Sequence, residues 1–427
     1  MGLKKITKED FEDMRNVPIE NYYAGIKAEA TKERYTRILR SYLMDTLSDI
    51  VEGETFEEKA NNLVLKSKHT PDFAMNLMLN ISKKLRKRTE LDTTNKYYLN
   101  PNCVKNDFKP FKKLFDMNDI ALVWKKIYST FPEHDETKVT KYRGYTRKEI
   151  QTMLKFTIDS MDKAIILTAC SSGIRPQGFD FTWDDIQPIY KIGDKIILEL
   201  TESEESQAVL VCGVITIYKK TFAEIPAFIT PEAYLALMDW KKQYSMDIGR
   251  EPKLTDPVFK KKGFIIKQAP ISTINSRIFK ILRRSGLVTP HLKKGERRRT
   301  VPQMYGFRYF FNKNMKEAVS NDSSLASLIK KEYMMDHTGL TKLDRNYFKT
   351  NVTELIEEYL HAVPSLTIDE SLRLRKENER KSEIIKKFES EKDSRIDELE
   401  SQVSKLVKGF DWFSNQFDEL KKEKKSS

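Results

Sequence analysis

Residues 195–229 read KIILELTESEESQAVLVCGVITIYKKTFAEIPAFI. The stretch is rich in β-branched and aromatic residues with short polar breaks, a pattern that predicts two or three antiparallel strands. On both sides of it the hydrophobic period is helical. Upstream, Thr146 and Glu149 form a capping box ahead of Ile150, Met153, Leu154 and Ile158, and Met161–Cys170 reads as a second helix. Downstream, Thr230 is placed to cap a helix with Pro231 at its first position, and the helix predicted over Ser272–Ser285 stops at Gly286. Helices, a small sheet, then helices make an α+β domain over 146–368. The fold class is therefore mainly α with a small antiparallel sheet.

Residues 1–130 are expected to form a separate helical domain. Thr31 is a plausible N-cap for Tyr35, Ile38, Leu39, Tyr42, Leu43 and Leu47, and further helices are expected over Phe73–Leu85 and Val104–Phe115. The polar segment 131–145 reads as a linker. In the tail, 369–427, Ile396, Leu399, Val403, Leu406, Phe410, Phe413, Phe417 and Leu420 keep 3,4 spacing, a heptad seam over 396–420. Ile384 and Phe388 are out of register and the polar Glu389 and Lys392 take the seam positions between Ile385 and Ile396, so the seam breaks near Lys392. Self-association through a coiled coil is the expectation. A single helix packing on its own domain is the alternative.

The chain has 427 residues, 76 Lys plus Arg and 63 Asp plus Glu, a net charge of +13. Counting along the sequence, 366–427 holds 15 basic and 15 acidic residues and is neutral. Residues 251–300 hold 14 basic and 3 acidic, a window worth +11. Its basic runs, Lys260, Lys261 and Lys262, then Lys293, Lys294, Arg297, Arg298 and Arg299, interleave with apolar residues such as Phe264 and Ile266. Such a patch can neutralise phosphates of double-stranded DNA and release their counterions. No apolar stretch approaches the roughly 18 residues of a membrane span, and the start MGLKKITKED has no signal-like apolar core. A cytoplasmic, nucleoid-associated protein without membrane contact is expected. Cys103, Cys170 and Cys212 lack metal-ligand or redox spacing and read as buried free thiols.

Several features of the second domain point to phosphate chemistry. SSGIRPQGF places Arg175 just past a small-residue turn, and MYGFRYFFNKNM sets Arg308 in an aromatic segment, three residues after Tyr305. YMMDHTGLTKLDRNYFKT supplies His337 and, ten residues on, Tyr347. Lys219 and Lys220 fall at a turn between strands. Two guanidiniums can hold the non-bridging oxygens of a phosphodiester, and a phenol can attack it in line. A lysine can protonate the leaving 5′ oxygen, with a histidine as supporting donor or acceptor. No step demands a metal or another cofactor.

In that order and spacing these residues resemble the tyrosine recombinases, or phage-type integrases, most closely their archaeal-type branch. The resemblance covers about residues 20–368. It implies a helical core-binding domain and a catalytic domain that together clamp DNA. It further implies site-specific cleavage and rejoining through a 3′-phosphotyrosine, with dimers or tetramers assembling on the DNA. Tyr347 matches the nucleophile, Arg175 and Arg308 the phosphate clamp, His337 and Tyr305 the supporting donors. Lys219, with Lys220 as alternative, matches the general acid. Two positions depart from the pattern. Gly178 stands where many members carry an acidic residue, and Tyr305 replaces the usual histidine, a phenol with a pKa of about 10 being a poor base at neutral pH. Type IB topoisomerase-like relaxation and a catalytically inactive DNA-binding or architectural protein of the same fold are the alternatives.

Overall fold

The computed structural model describes residues 17–70, 72–92, 94–133, 142–221, 223–263, 266–288, 299, 301–319, 325–335 and 351–423. The described residues form two compact units, the first 17–142 together with Arg299, the second 143–288 together with those from 301 onward. The first is helical: α1 (Pro18–Ala24), α2 (Glu29–Ser41), α3 (Phe56–His69), α4 (Phe73–Thr89), α5 (Val104–Asp116) and α6 (Trp124–Tyr128). Leu39, Leu63, Met78, Phe108, Phe111 and Phe115 lie in one core. Helix α2 starts earlier than expected. Ala28 is its extended N-cap residue and Thr31 sits inside the first turn, because the backbone already turns at Ala28, whose carbonyl accepts from Thr31 N at 3.0 Å.

The second unit opens with α7 (Arg147–Lys155), and here the expected capping box forms. Thr146 Oγ1 accepts from Glu149 N at 3.2 Å and Glu149 Oε2 from Thr146 N at 2.7 Å. Helix α8 (Ser160–Ser172) is buried on almost every side, packed against α9 (Pro231–Ile248), which Thr230 caps as expected. Arg277 on α10 (Ile271–Arg284) ties the start of α8 with ion pairs of 2.5 Å to Asp159 and 2.6 Å to Asp162. Then follow α11 (Gln303–Val319), α12 (Leu325–Met334), α13 (Val352–Leu366) and the long α14 (Glu370–Glu423).

Four antiparallel strands, one more than the largest number expected, form a sheet in the order β2-β1-β3-β4: β1 (Ile186–Ile192), β2 (Lys195–Ile197), β3 (Val209–Ile217) and β4 (Ile225–Ile229). The additional strand, β1, contains Pro188, which removes a backbone donor. It is tolerated because β2 pairs only with Tyr190–Ile192, leaving β1 an open edge beside the proline. The end of the expected linker also differs. Tyr145 is buried, its N–H donates to Gly306 O at 3.2 Å and its ring meets Phe307 at 4.8 Å, so it belongs to the second unit's core. Cys170 and Cys212 are buried as expected, whereas Cys103, on a one-turn 3-10 segment, is exposed. Among the described residues no helix is long and apolar enough to cross a membrane.

Candidate active site

Arg175 is positioned by the way α8 ends. Gly173 takes the left-handed conformation (φ 61°) that closes the helix, and a Cβ there would fall 2.4 Å from the Phe311 ring. Two residues on, Arg175 is extended (φ −70°, ψ 155°) because Pro176 follows it. Its side chain is half-buried.

Arg308 lies on α11 and is buried. Two glycines let this helix come close to Gly144 and Tyr145: a Cβ on Gly144 would sit 2.5 Å from Phe310 N, and one on Gly306 would meet the Tyr145 ring. The Arg308 guanidinium donates through Nη1 to Gly173 O at 2.6 Å and through Nη2 to Met335 O. It therefore joins the turn that presents Arg175 to the chain that leads, two residues after Met335, into His337. Tyr305, one helical turn before Arg308, is exposed.

Lys219 sits in the β3–β4 turn, between Tyr218 (φ 56°) and Lys220 (φ 63°). Its Nζ lies 2.7 Å from Asp185 Oδ1 and 3.1 Å from Asp184 Oδ2. Asp185 is itself fixed, accepting from Thr182 N and Oγ1, each at 2.8 Å. Burial alone would raise the Asp185 carboxyl, but hydrogen bonds from Lys219 and Thr182 hold it below the ordinary range. The same hydrogen bonds from Asp185 and Asp184 push the Lys219 ammonium up. Gly178 lies against this turn, its missing Cβ pointing at Ile217 and the Tyr218 phenol from 3.4–3.6 Å. Gly178 thus abuts the Lys219 turn, whose carboxylate partners are Asp184 and Asp185. Lys220 is engaged through its backbone, donating to Glu224 at 2.7 Å.

Sequence reasoning missed Asp184 and Asp185. Their signal was TWDD shortly after the Arg175 box, where Thr182 caps a short turn. His337 and Tyr347 lie outside the described residues, as do Lys293, Lys294, Arg297 and Arg298. Tyr359 is buried, stacked on Phe228 at 5.4 Å, and donates to Ser171 O at 2.8 Å.

The expected DNA-contacting lysines divide. Lys261 and Lys262 are exposed, and Arg299 is half-buried. Lys260 does not fit that role: its side chain is 1% exposed, its Nζ donates to Gly263 O at 2.9 Å and pairs with Asp247 at 3.4 Å, over the Trp240 and Tyr244 rings. An ammonium sealed in this way by carbonyl, carboxylate and aromatic faces is a structural cation.

No known family profile matches the chain, and no curated protein does. Among solved structures it is similar to the XerA recombinase, with 14% identity over 77% of this chain and 97% of that one and a TM-score of 0.31. It is also similar to the Tn1549 transposon integrase in complex with a circular intermediate DNA, at 12% identity, 76% and 98% coverage and a TM-score of 0.36. The same integrase in complex with transposon right end DNA gives 12% identity and a TM-score of 0.33.

Proposed function

We propose that this protein is a DNA strand transferase of the tyrosine recombinase type, a site-specific recombinase or integrase. The observation that carries the reading is the bridge made by Arg308. Its guanidinium ties the Arg175 turn to the chain entering the His337–Tyr347 segment, so boxes 133 residues apart in sequence meet at one side chain. The Lys219 turn packs beside the same Arg175 segment through Gly178.

In the proposed reaction the Tyr347 oxygen bonds to the scissile phosphorus as the bond to the 5′ oxygen breaks. Arg175 and Arg308, the latter also setting the Arg175 turn, hold the non-bridging oxygens and stabilise the charge that gathers on them. The phenolic proton leaves toward His337 or solvent, Tyr305 donates a hydrogen bond, and Lys219 gives its proton to the departing 5′ oxygen. The phosphodiester energy stays in the 3′-phosphotyrosine, so attack by a 5′ hydroxyl rejoins the strand without ATP. The basic window, through Lys261, Lys262 and the 293–299 run, would track the backbone of double-stranded DNA. Recombination requires more than one active site, so two or four copies would assemble on DNA at the nucleoid.

The test is covalent capture. A library of nicked suicide duplexes, randomised across the binding region, is incubated with the chain, and SDS-resistant adducts are isolated and sequenced. Wild type should give adducts sharing one site, and Tyr347→Phe none. Absence of any wild-type adduct, or its persistence in Tyr347→Phe, refutes the assignment. Catalytic relaxation of plasmids lacking that site would favour the topoisomerase-like reading instead.

A further inference from the structure

Helix α14 spans 54 residues, about 80 Å at 1.5 Å per residue. Its main partner within the chain is α13. From Ile384 onward its described apolar side chains are exposed, Leu406 at 73% and Phe410 at 79%. An isolated helix with such a stripe wants a partner, and the stripe's form says which kind. Ile396, Leu399, Val403, Leu406 and Phe410 recur at 3,4 spacing, so over 396–410 the apolar residues fall at positions a and d of a heptad, with Val407 beside them at e; exposed Trp412, at c, lies just past this stretch. The outward positions, Asp397, Glu398, Ser401, Ser404, Lys405 and Lys408, are polar. So narrow a seam fits another helix of the same period; a broad globular surface would call for a wider apolar face.

We infer that a second copy of this chain covers the seam, as a parallel, in-register, two-stranded coiled coil. Three observations choose that occupant. β-branched Ile396 and Val403 fall at a and Leu399 and Leu406 at d, the arrangement that favours parallel dimers. In that register Arg395 at g faces Glu400 at e of the other copy, an attractive pair; in the single chain Arg395 pairs within its own helix with Glu398. The tail as a whole has equal numbers of basic and acidic residues, so two copies meet without net repulsion. A parallel stalk would tether two catalytic units side by side before DNA is bound. The inference rests on the helix alone and holds or fails independently of the strand-transfer reading.

The experiment uses the full chain without DNA. Sedimentation equilibrium should give twice the chain mass for wild type. Leu399→Glu/Leu406→Glu should give a monomer whose catalytic unit melts at the wild-type temperature, since both leucines are exposed in the single chain. Val403→Cys, in a Cys103→Ser background, should form a disulfide-linked dimer on mild oxidation. A monomeric wild type overturns the inference, as does a dimer that survives the two glutamates. A dimer that does not cross-link at position 403 overturns the parallel register, and one stoichiometric with a co-purified protein overturns self-pairing.

Discussion

Replacing Arg308 by lysine keeps the charge but gives up the fork of donors. The guanidinium reaches two carbonyls on separate segments, Gly173 O and Met335 O, from a site only 8% exposed. A single ammonium on a flexible stem can serve one of them, leaving the other buried without its donor, at about 2 kcal/mol. For a unit of this size that is a fall in melting temperature of about 4–8 °C. Arg308→Ala strands both carbonyls and should cost about 2–6 kcal/mol. Differential scanning calorimetry of the full chain without DNA reads the effect in the transition of the second unit. Adduct formation by Arg308→Lys should drop even at temperatures where that unit is folded, because the Arg175 turn is no longer tied to the following segment. If Arg308→Lys melts like wild type, the guanidinium does not hold the two segments together and the carrying observation fails.

Asp185→Asn should lower the Lys219 pKa by removing its shorter carboxylate bond. Lys219 must be protonated to act as the acid, so the alkaline limb of the cleavage pH profile should move to lower pH; an unmoved limb would detach Lys219 from the reaction. Lys219→Ala should be rescued by a substrate with sulfur as the 5′ leaving atom, since a thiolate leaves without a proton, whereas rescue of Lys220→Ala alone would reassign the acid. Lys331 is buried with no hydrogen-bond partner among the described residues, and burial, with Lys316 nearby, pushes its ammonium down to about 8. Because the folded value lies below the unfolded one, its charge opposes folding below pH 8, and stability recovers as pH rises from 8 to 10.5. That difference is about 3 kcal/mol, so Lys331→Met should be more stable at pH 7 and lack this recovery; denaturant titrations of both proteins across the range check it. Reversing Arg297, Arg298 and Arg299 to Glu should weaken DNA binding and flatten the log-affinity versus log-salt slope by about 0.9 per lost phosphate contact. An unchanged slope would remove the basic window from the interface.

Much of the second unit was legible because its elements carry local chemistry. Thr146 with Glu149, Thr230 with Pro231, and Gly173 at the end of an apolar helix fix boundaries through backbone hydrogen bonds that depend on a few neighbouring residues. What escaped was decided at longer range. Strand β1 forms despite Pro188 because β2 is too short to need that donor, a fact of pairing that a local pattern does not contain. Lys260 and Lys261 are adjacent and identical in type, yet tertiary packing of Trp240, Tyr244 and Asp247 buries one and leaves the other outside. Likewise the Lys219 turn was legible from its place between apolar runs, while its carboxylate partners, 34 and 35 residues upstream, became visible only through folding. The Arg308 bridge, too, is made to backbone carbonyls, which no residue type announces.

The central claim is that Tyr347 carries the DNA strand, and mapping the covalent bond tests it most directly. An adduct trapped on a nicked duplex is digested with nuclease and trypsin, and the nucleotide-bearing peptide is sequenced by mass spectrometry. Cleavage after Arg345 and Lys349 predicts the modified peptide Asn-Tyr-Phe-Lys, with the phosphate on Tyr347. A nucleotide on Tyr305, Tyr309 or Tyr333, or on no tyrosine at all, would contradict the account.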